Sequence, residues 1–299
     1  MQTKIQSLEI PLNVPAGPRV SVVMLTCHRP HLLKRAIQSV VDQQFQNWEL
    51  IVIHDGPDEQ TAALMNDWTR RDPRMTYLPR GSIGNIGDGI NFGLRHARGE
   101  YIAILDDDDY WADPQKLANQ IAFLDTHPAY VACGGGMILV DEQARELRRF
   151  LKPESDQSLR SRALIANPIV HSTAMYRRSA ADQVGGYDAA ALSQFQDWDF
   201  WLKMALVGKL YNLPSYLTYY AVLDSSSSFR NLKKNSRAAL KIVWRHRRSY
   251  PFFGAALALA AAYHLYAHLP KSVKAASFQS LSRLKKLVFA ERSRRATQT

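Results

Sequence analysis

Strand-like and helix-like segments alternate along the first hundred residues of this 299-residue chain. Short apolar runs rich in β-branched residues favour strands at residues 19–28, 48–56, 75–79 and 101–106. Between these runs, apolar residues recur at helical spacing. A chain that alternates single helices with strands builds βαβ units and a mostly parallel sheet. We therefore expect an α/β fold whose ligands bind beyond the carboxyl ends of the strands.

Four consecutive aspartates, Asp106 to Asp109, follow the fourth predicted strand. Adjacent carboxylates repel one another, which raises some of their pKa values or requires a cation. An acidic helix cap does not explain them, because Asp113 and Pro114 already provide a good start for the helix that follows, Gln115–Leu124. Mg²⁺ and Mn²⁺ prefer oxygen ligands and commonly bind substrate phosphates as well. The cluster therefore predicts a divalent metal site.

Two other uses of such motifs do not fit the sequence. A phosphatase that forms a phospho-aspartate needs D-x-D-x-[TV] after its first strand, whereas this cluster follows the fourth and has Tyr110 in the last position. A dinucleotide-binding oxidoreductase needs G-x-G-x-x-G in the first strand-to-helix turn, and residues 26–30 contain no glycine. The glycine-rich stretch at 84–89 follows a different strand. Both classes are therefore excluded.

The charge of the chain is unevenly distributed. The formal net charge is +11, but residues 230–299 hold 16 lysines and arginines and a single acid, so they carry +15 and the remainder carries −4. We expect an N-terminal extension (residues 1–17), a catalytic domain (18–223) and a basic helical C-terminal region (224–299).

The C-terminal region contains an apolar run and a basic amphipathic pattern. Residues 252–269 are apolar and alanine-rich, yet marginal for a membrane span, so we expect a buried helix that packs on the catalytic domain. In residues 271–290 apolar and basic side chains recur at helical spacing, which is typical of helices that lie in the headgroup region of anionic membranes. Basic residues of this kind can also bind nucleic acid. We do not expect nucleic acid as a partner, because the main body of the chain is acidic.

Cysteine usage indicates the compartment. Cys27 and Cys133 both lie in apolar runs, and we interpret them as reduced core residues of a cytosolic protein. The first 15 residues contain no apolar run of the kind found in secretory signals. We expect a cytoplasmic protein that binds peripherally to the cytoplasmic face of the inner or plasma membrane.

Five motifs in order resemble one enzyme family. They are a strand that ends Thr26-x-x-Arg29, a second that ends Asp55-Gly56, ARGEYIAILDDDDYW, VGGYD and QDWDFWLKM. Over about residues 18–222 the chain resembles family 2 of the inverting nucleotide-sugar glycosyltransferases, which have a GT-A fold with a Rossmann-like sheet. The resemblance implies transfer of a sugar from a nucleoside diphosphate sugar, most often a UDP-sugar, to an acceptor hydroxyl. It also suggests a role in bacterial-type surface glycan or lipid-linked oligosaccharide assembly.

The resemblance implies roles for individual residues. Asp108 binds the Mn²⁺ or Mg²⁺ that bridges the two phosphates, Asp106 or Asp107 accepts a hydrogen bond from the ribose, and Asp109 holds the loop. The remaining donor-binding residues are Thr26, Arg29, Asn85 and the uracil-contacting acid Asp55. Without the resemblance, Asp55-Gly56 would be interpreted as a simple turn.

The general base is implied to be Asp197, with Asp199 as the rival. Asp197 could otherwise serve only as the N-cap of its helix. His171 matches a histidine near the family's donor or acceptor pocket, although a lone histidine more often has a structural role, and Gly185-Gly186 most simply serve a backbone conformation.

The chain departs from the family pattern at three places: Gln196 stands before the base, Ala221 and Leu223 stand where many members have Arg and His, and Asn85 stands where an Arg can contact the base of the nucleotide. Because of these departures, we expect the metal rather than a protein cation to neutralise the diphosphate. The identity of the nucleotide is less firmly implied than the class of reaction. Two functions remain: an active transferase, or an inactive nucleotide-sugar-binding or scaffold protein on the same fold.

Overall fold

The computed structural model describes residues 17–56, 58–81, 84–222, 231–270 and 273. In this described part, nine strands form one mixed sheet. The first four are β1 (Val20–Thr26), β2 (Trp48–Asp55), β3 (Met75–Arg80) and β4 (Tyr101–Ile104). They pair in parallel in the order β3-β2-β1-β4. This half confirms the predicted α/β fold with a parallel sheet.

Three helices connect the parallel strands: α1 (Pro30–Val41), α2 (Glu59–Arg71) and α3 (Ile86–His96). In α1, Leu33 and Ile37 lie one turn apart and are fully buried against the sheet, as their spacing predicts. In α3, a side chain at Gly93 would approach Ile53 to 2.5 Å, so glycine permits close packing of this helix on β2. The chain reverses the direction of strand addition between β1 and β4. Such a reversal is where open α/β sheets bind ligands.

The second half of the sheet is antiparallel in most of its pairings. Its elements are β5 (Tyr110–Trp111), α4 (Lys116–Thr126), β6 (Tyr130–Val140), β7 (Glu146–Phe150), α5 (Asp156–Arg160), a 3-10 turn (His171–Thr173), β8 (Met175–Arg177), α6 (Arg178–Gln183), α7 (Gln196–Val207) and β9 (Lys209–Ala221). The sheet continues β4-β8-β6-β9-β5, with β7 on β6. The helix α4 begins at Lys116, one residue later than predicted, because Gln115 is its N-cap and Asp113 instead accepts a hydrogen bond from the Gln115 N–H at 2.8 Å.

Two helices follow in the C-terminal region, α8 (Leu232–Arg245) and α9 (Phe253–His268). Ile242 and Val243 of α8 are fully buried and join the core cluster that contains α7. The prediction of a buried apolar helix is wrong for one side of α9, where Leu265 is 70% exposed. The physical reason is that the fully buried face of α9 consists of small alanines, Ala256, Ala260 and Ala267, and Leu265 lies on the opposite side. Among the described residues, no helix is both long and apolar enough to cross a membrane.

The two cysteines differ in their environments. Cys133 lies in β6, and its burial raises the pKa of the thiol to about 12, in agreement with the prediction of a core cysteine. Cys27 is exposed, so that prediction is wrong. The strand β1 ends at Thr26, and the next residues leave the sheet in a turn in which His28 adopts a left-handed φ of 53°.

Candidate active site

The ends of β1 and β4 meet through an ion-paired cluster. The Thr26 hydroxyl donates a hydrogen bond to Asp107 at 2.7 Å. The Arg29 guanidinium contacts an Asp107 oxygen at 2.6 Å and an Asp108 oxygen at 2.7 Å. Four of the residues predicted from the sequence therefore lie together at the switch point, and Arg29 balances the charge of two of the four aspartates.

The two most buried aspartates of the cluster, Asp107 and Asp109, have structural partners. Burial raises the pKa of Asp107 to about 7, even though the charge of Arg29 lowers it. Burial also raises the pKa of Asp109 well above its ordinary value. Asp109 accepts hydrogen bonds from the Ser172 hydroxyl and, at 3.0 Å, from the backbone N–H of Ala221 on β9. These contacts are those of a residue that holds the loop against the sheet.

Asp106 is the most exposed carboxylate with a direct link to the opposite wall of the site. About 40% of its side chain is accessible, and its Oδ1 lies 3.9 Å from His171 Nε2. The Ser172 hydroxyl lies 3.2 Å from its Oδ2. Partial burial raises the pKa of Asp106, the charge of His171 lowers it, and the charges of Asp108 and Asp197 raise it further. Asp106 and Asp197 therefore belong to one electrostatic site.

Asp197 lies in the first turn of α7 and is partly exposed. Its Oδ2 accepts a hydrogen bond of 2.5 Å from Asn167 Nδ2. The preceding Phe195 has a left-handed φ of 59°, which is uncommon for a residue with a side chain and is often found at functional sites. The carboxylate is thus oriented by a neutral amide and remains accessible, as a proton acceptor requires.

Asp199, the rival base, lies in a closed environment. It is fully buried, and its Oδ1 lies 2.9 Å from His246 Nε2 and 3.1 Å from an Arg245 nitrogen. Burial alone would raise the pKa of Asp199, but the His246 hydrogen bond and the Arg245 charge hold it below its ordinary value. A carboxylate held in this way is a structural anchor between α7 and α8.

Asp55 and Asn85, the predicted contacts of the nucleotide base, lie at the end of β2 and at the start of α3. Asp55 ends β2 and is 9% exposed. Partial burial raises the pKa of the Cys27 thiol, and the charge of Asp55 is the next largest cause of this shift. Asp55 therefore lies beside the first strand-to-helix turn. Asn85 caps α3, because its Oδ1 accepts from the Gly87 N–H at 2.9 Å, and its Nδ2 donates to the Ala189 carbonyl at 2.6 Å. Its contact with a nucleotide base stays a prediction.

The predicted glycine pair lies in the turn after α6. Gly185 and Gly186 have φ values of 76° and 66°, so the prediction of a special backbone conformation is confirmed. Among the described residues, the buried His171 Nδ1 and Gln196 Nε2 have no hydrogen-bond partner. Such polar atoms are available to a ligand.

Sequence reasoning missed two side chains of this site. Asn167 orients Asp197, and Ser172 bridges Asp106 and Asp109. Both belong to the segment around His171, which had drawn attention only for its histidine. A proline after Asn167 was a weak signal of a fixed turn, and nothing in the sequence distinguished Ser172.

The carboxylates fit a divalent cation that is shared with a ligand. Asp108 is partly accessible, and only its Oδ2 is engaged by Arg29 among the contacts of the described residues. No group of three or more His, Cys, Asp or Glu side chains surrounds a common point in this part of the chain. A hard cation held by one or two carboxylates takes its remaining ligands from phosphates and water. The donor set therefore suits Mg²⁺ or Mn²⁺ when it binds together with a diphosphate.

Comparisons with known proteins agree on the fold and the class of protein. The sequence model of glycosyl transferase family 2 matches residues 21–185. A Bacillus subtilis protein named putative glycosyltransferase EpsE is 30% identical over 218 residues, which cover 72% of this chain and 76% of that protein.

Two solved structures share the GT-A fold with this chain. The mannosyltransferase PcManGT from Pyrobaculum calidifontis, in complex with GDP-Man and Mn²⁺, has a TM-score of 0.62 and 18% identity, and the match covers 91% of this chain and 81% of that one. Residues 1–349 of S. aureus TarS, in complex with UDP-GlcNAc, have a TM-score of 0.61 and 17% identity, and the match covers 84% and 72%.

Proposed function

The chain belongs to glycosyl transferase family 2 and is a glycosyltransferase, and we propose that it transfers a sugar from a nucleoside diphosphate sugar to an acceptor hydroxyl with inversion at the anomeric carbon. One observation carries this proposal. The segment 167–171 joins the carboxylate cluster at the end of β4 to the accessible carboxylate of Asp197 on α7, because His171 lies 3.9 Å from Asp106 and Asn167 donates a hydrogen bond to Asp197. An inverting displacement needs two such groups, one beside the leaving diphosphate and one beside the acceptor.

The reaction is a single displacement. The acceptor oxygen forms a bond to the anomeric carbon while the bond from that carbon to the diphosphate oxygen breaks. The acceptor proton passes to Asp197, which Asn167 orients through its hydrogen bond of 2.5 Å. The buried ion pairs of Asp199 support the choice of Asp197 over its rival, because a base must reach the acceptor.

The proposed donor is a UDP-sugar bound along the switch point. Its ribose and diphosphate would lie over Thr26, Arg29 and the aspartate cluster, and its base near Asp55 and Asn85. The resemblance in sequence favours uridine, and TarS binds UDP-GlcNAc, whereas PcManGT binds GDP-Man. Both nucleotides therefore belong in the assay.

Mn²⁺ or Mg²⁺ is the proposed cofactor, held by Asp108. When bound, the cation neutralises negative charge that develops on the leaving diphosphate. Arg29 already contacts Asp107 and Asp108, so this guanidinium would share the carboxylates with the ion and is the protein's own cation nearest the diphosphate.

The proposed acceptor is a glycan or a lipid-linked oligosaccharide. A cleft of about 300 Å³ adjoins the base, and its lining includes Asn167, Ile165, Phe252, Lys152 and Arg162. Polar, apolar and cationic side chains in one cleft suit a sugar that carries an anionic or lipid-linked group.

We also propose that the enzyme works peripherally at the cytoplasmic face of a membrane, in surface glycan or lipid-linked oligosaccharide assembly. The basic amphipathic pattern in residues 271–290 lies outside the described residues except for Val273. The net charge of +15 on residues 230–299 supports it.

The proposal is tested by thermal shift with UDP, GDP and their sugars, with and without Mn²⁺, followed by transfer and donor-hydrolysis assays. Asp108→Asn should abolish transfer and most of the metal-dependent stabilisation by nucleotide. Asp197→Asn should bind donor and metal normally but lose about two to four orders of magnitude in transfer rate. Asp67→Asn, which changes a partly exposed aspartate on α2, is the matched control and should behave as wild type.

Full activity in EDTA, or normal turnover by Asp108→Asn, contradicts the metal assignment. Normal transfer by Asp197→Asn contradicts the base assignment. A retaining outcome in the product, read by NMR of the anomeric proton, contradicts the single displacement.

A further inference from the structure

One side of α9 is an exposed apolar stripe. The helix contains no Asp, Glu, Lys or Arg. Its buried residues, Ala256, Ala260 and Ala267, lie on one face, and the exposed residues recur at spacings of three and four on the opposite face. These are Ala255, Ala258, Ala262, Leu265 and, just after the helix, Leu269. A water-soluble surface helix normally presents charged residues at such positions.

The exposed side of α8 is basic. Its stripe comprises Lys233, Lys234, Arg237, Lys241, Trp244 and, in the turn after the helix, Arg248. Within the described part of the chain, no ion pair involves Lys233, Lys234, Arg237 or Arg248. Their charges are therefore not used to bind the acidic catalytic body.

The helices α8 and α9 pack as an antiparallel hairpin. The Ser236 hydroxyl of α8 lies 3.1 Å from His264 Nδ1 near the end of α9. At the other end, the Trp244 ring lies 6.0 Å from the ring of Phe253, between ring centroids. We call the exposed residues of α8 and α9, together with Phe252 and Leu269, the hairpin surface.

Exposed apolar side chains concentrate on this surface. Of the eight large hydrophobic residues that are exposed in the described chain, four lie on it: Trp244 (55%), Phe252 (62%), Leu265 (70%) and Leu269 (39%). Single exposed hydrophobic residues need no explanation, whereas a cluster marks an interaction site.

We propose that the hairpin surface docks on an anionic lipid bilayer, with the apolar stripe of α9 in the headgroup region and the lysines and arginines of α8 on the lipid phosphates. The inference rests on the proposed membrane location and assigns that contact to residues whose positions are described. Charge complementarity selects the occupant. A second copy of the chain would bring two basic stripes together, whereas an anionic membrane satisfies both the apolar and the basic side chains.

The first test uses the fluorescence of the full-length protein. Trp244 is the one exposed tryptophan among the six, all of which lie in described parts of the chain. Vesicles that contain phosphatidylglycerol with brominated acyl chains should quench wild-type fluorescence at low salt, and vesicles of neutral lipid should not. Trp244→Phe should remove the quenching, and Trp68→Phe, which replaces a half-buried tryptophan on α2, should retain it.

The second test separates apolar from charged contributions by co-sedimentation with the same anionic vesicles, without bromine. Replacement of Trp244, Leu265 and Leu269 together by serine should weaken binding at least about tenfold. Replacement of Lys233, Lys234 and Arg237 together by glutamine should weaken it on the order of a hundredfold. Leu147→Ser is the matched control, because Leu147 is 56% exposed on β7, and should bind as wild type.

Metal-dependent binding of the donor nucleotide, measured by thermal shift in the same variants, should be unchanged. This readout separates the inference from the proposed function. If the wild-type protein does not bind nucleotide, the proposed function is contradicted and the assignment of the membrane contact is not. The inference is overturned if both triple variants bind vesicles like wild type, or if vesicles pellet the protein without quenching Trp244. It is also overturned if the protein is a dimer that the serine variant converts to a monomer while vesicle binding is absent in both.

Discussion

Replacement of Lys116 by methionine should stabilise the protein at neutral pH. Lys116 lies in the first turn of α4, and its side chain is fully buried. Its Nζ donates a hydrogen bond to Gln120 Oε1 at 2.7 Å and lies 4.1 Å from the centre of the Trp111 ring. No carboxylate pairs with it among the ion pairs of the described residues. Burial without a counter-ion lowers the pKa of Lys116 from 10.5 to about 7.

The size of the effect follows from that pKa. Each pH unit corresponds to about 1.4 kcal/mol, so a fall from 10.5 to about 7 corresponds to a penalty of roughly 5 kcal/mol for the protonated side chain in the folded protein. Methionine removes this penalty and loses about 1 kcal/mol from the hydrogen bond and about 1 to 2 kcal/mol from the aromatic contact. We expect a net gain of about 2 kcal/mol in the free energy of unfolding at pH 7.

The sign of the pH dependence distinguishes this mechanism from better packing. The folded protein loses the Lys116 proton near pH 7, whereas the unfolded chain keeps it up to about pH 10.4. Unfolding therefore takes up a proton in this window, and wild-type stability rises with pH by up to about 1.4 kcal/mol per pH unit. That stability is lost as the pH falls towards 7, and the methionine variant has no such dependence.

Urea unfolding of wild type and Lys116→Met at pH values of about 6.5, 8 and 9.5 measures the difference. The advantage of the variant should be largest at the lowest pH, and should shrink and then reverse towards the highest. Lys209→Met, which removes an exposed amine on β9, should show no such trend. A difference between wild type and Lys116→Met that stays constant across the pH range would refute the reasoning.

Asn167→Ala should lower the transfer rate by about ten- to a hundredfold and leave the donor KM unchanged, because it removes the hydrogen bond that orients Asp197 and does not alter the donor site. A raised donor KM with a normal transfer rate would contradict this. Asp199→Asn should lower the free energy of unfolding by about 2 kcal/mol at pH 7. Because the pKa of Asp199 is lowered in the fold, its contribution is present above about pH 4 and lost below, and urea unfolding should show the variant and wild type converge as the medium becomes acidic. Gly208→Ala should lower stability by about 2 kcal/mol or more in thermal unfolding, since its Cβ would lie 2.1 Å from Val131 Cγ1; an unchanged Tm contradicts the packing argument.

Local pattern was sufficient for the parallel half of the fold and for the type of residue at its edge. The apolar runs and helical spacings before Asp106 predict β1 to β4 and α1 to α3 within a few residues. These elements are specified by short-range periodicity, which the sequence contains directly. The carboxylates after β4 follow from the same reasoning, because parallel strands bring their carboxyl ends to one edge.

Tertiary contacts decided what lies far apart along the chain. Arg29 meets Asp108 across 79 residues, and Asn167 meets Asp197 across 30, so no local pattern indicates either pair. The two-residue strand β5 exists only because Tyr110 and Trp111 pair with β9. The same holds for the different environments of the two candidate bases.

Asp197 and Asp199 are two residues apart on one helix, and their spacing could not separate a base from an anchor. Packing gives them different environments, because α8 covers Asp199 with His246 and Arg245 and leaves Asp197 accessible, which supports the proposal that Asp197 is the base. The apolar run of α9 is a similar case. Its composition predicts burial on all sides, whereas in the structure its alanine face is buried and Leu265 is exposed. The sequence thus determined which chemical groups the protein has and which edge of the sheet carries them. The tertiary structure decided which of them are accessible and which are paired, because burial and pairing depend on neighbours brought together from distant parts of the chain.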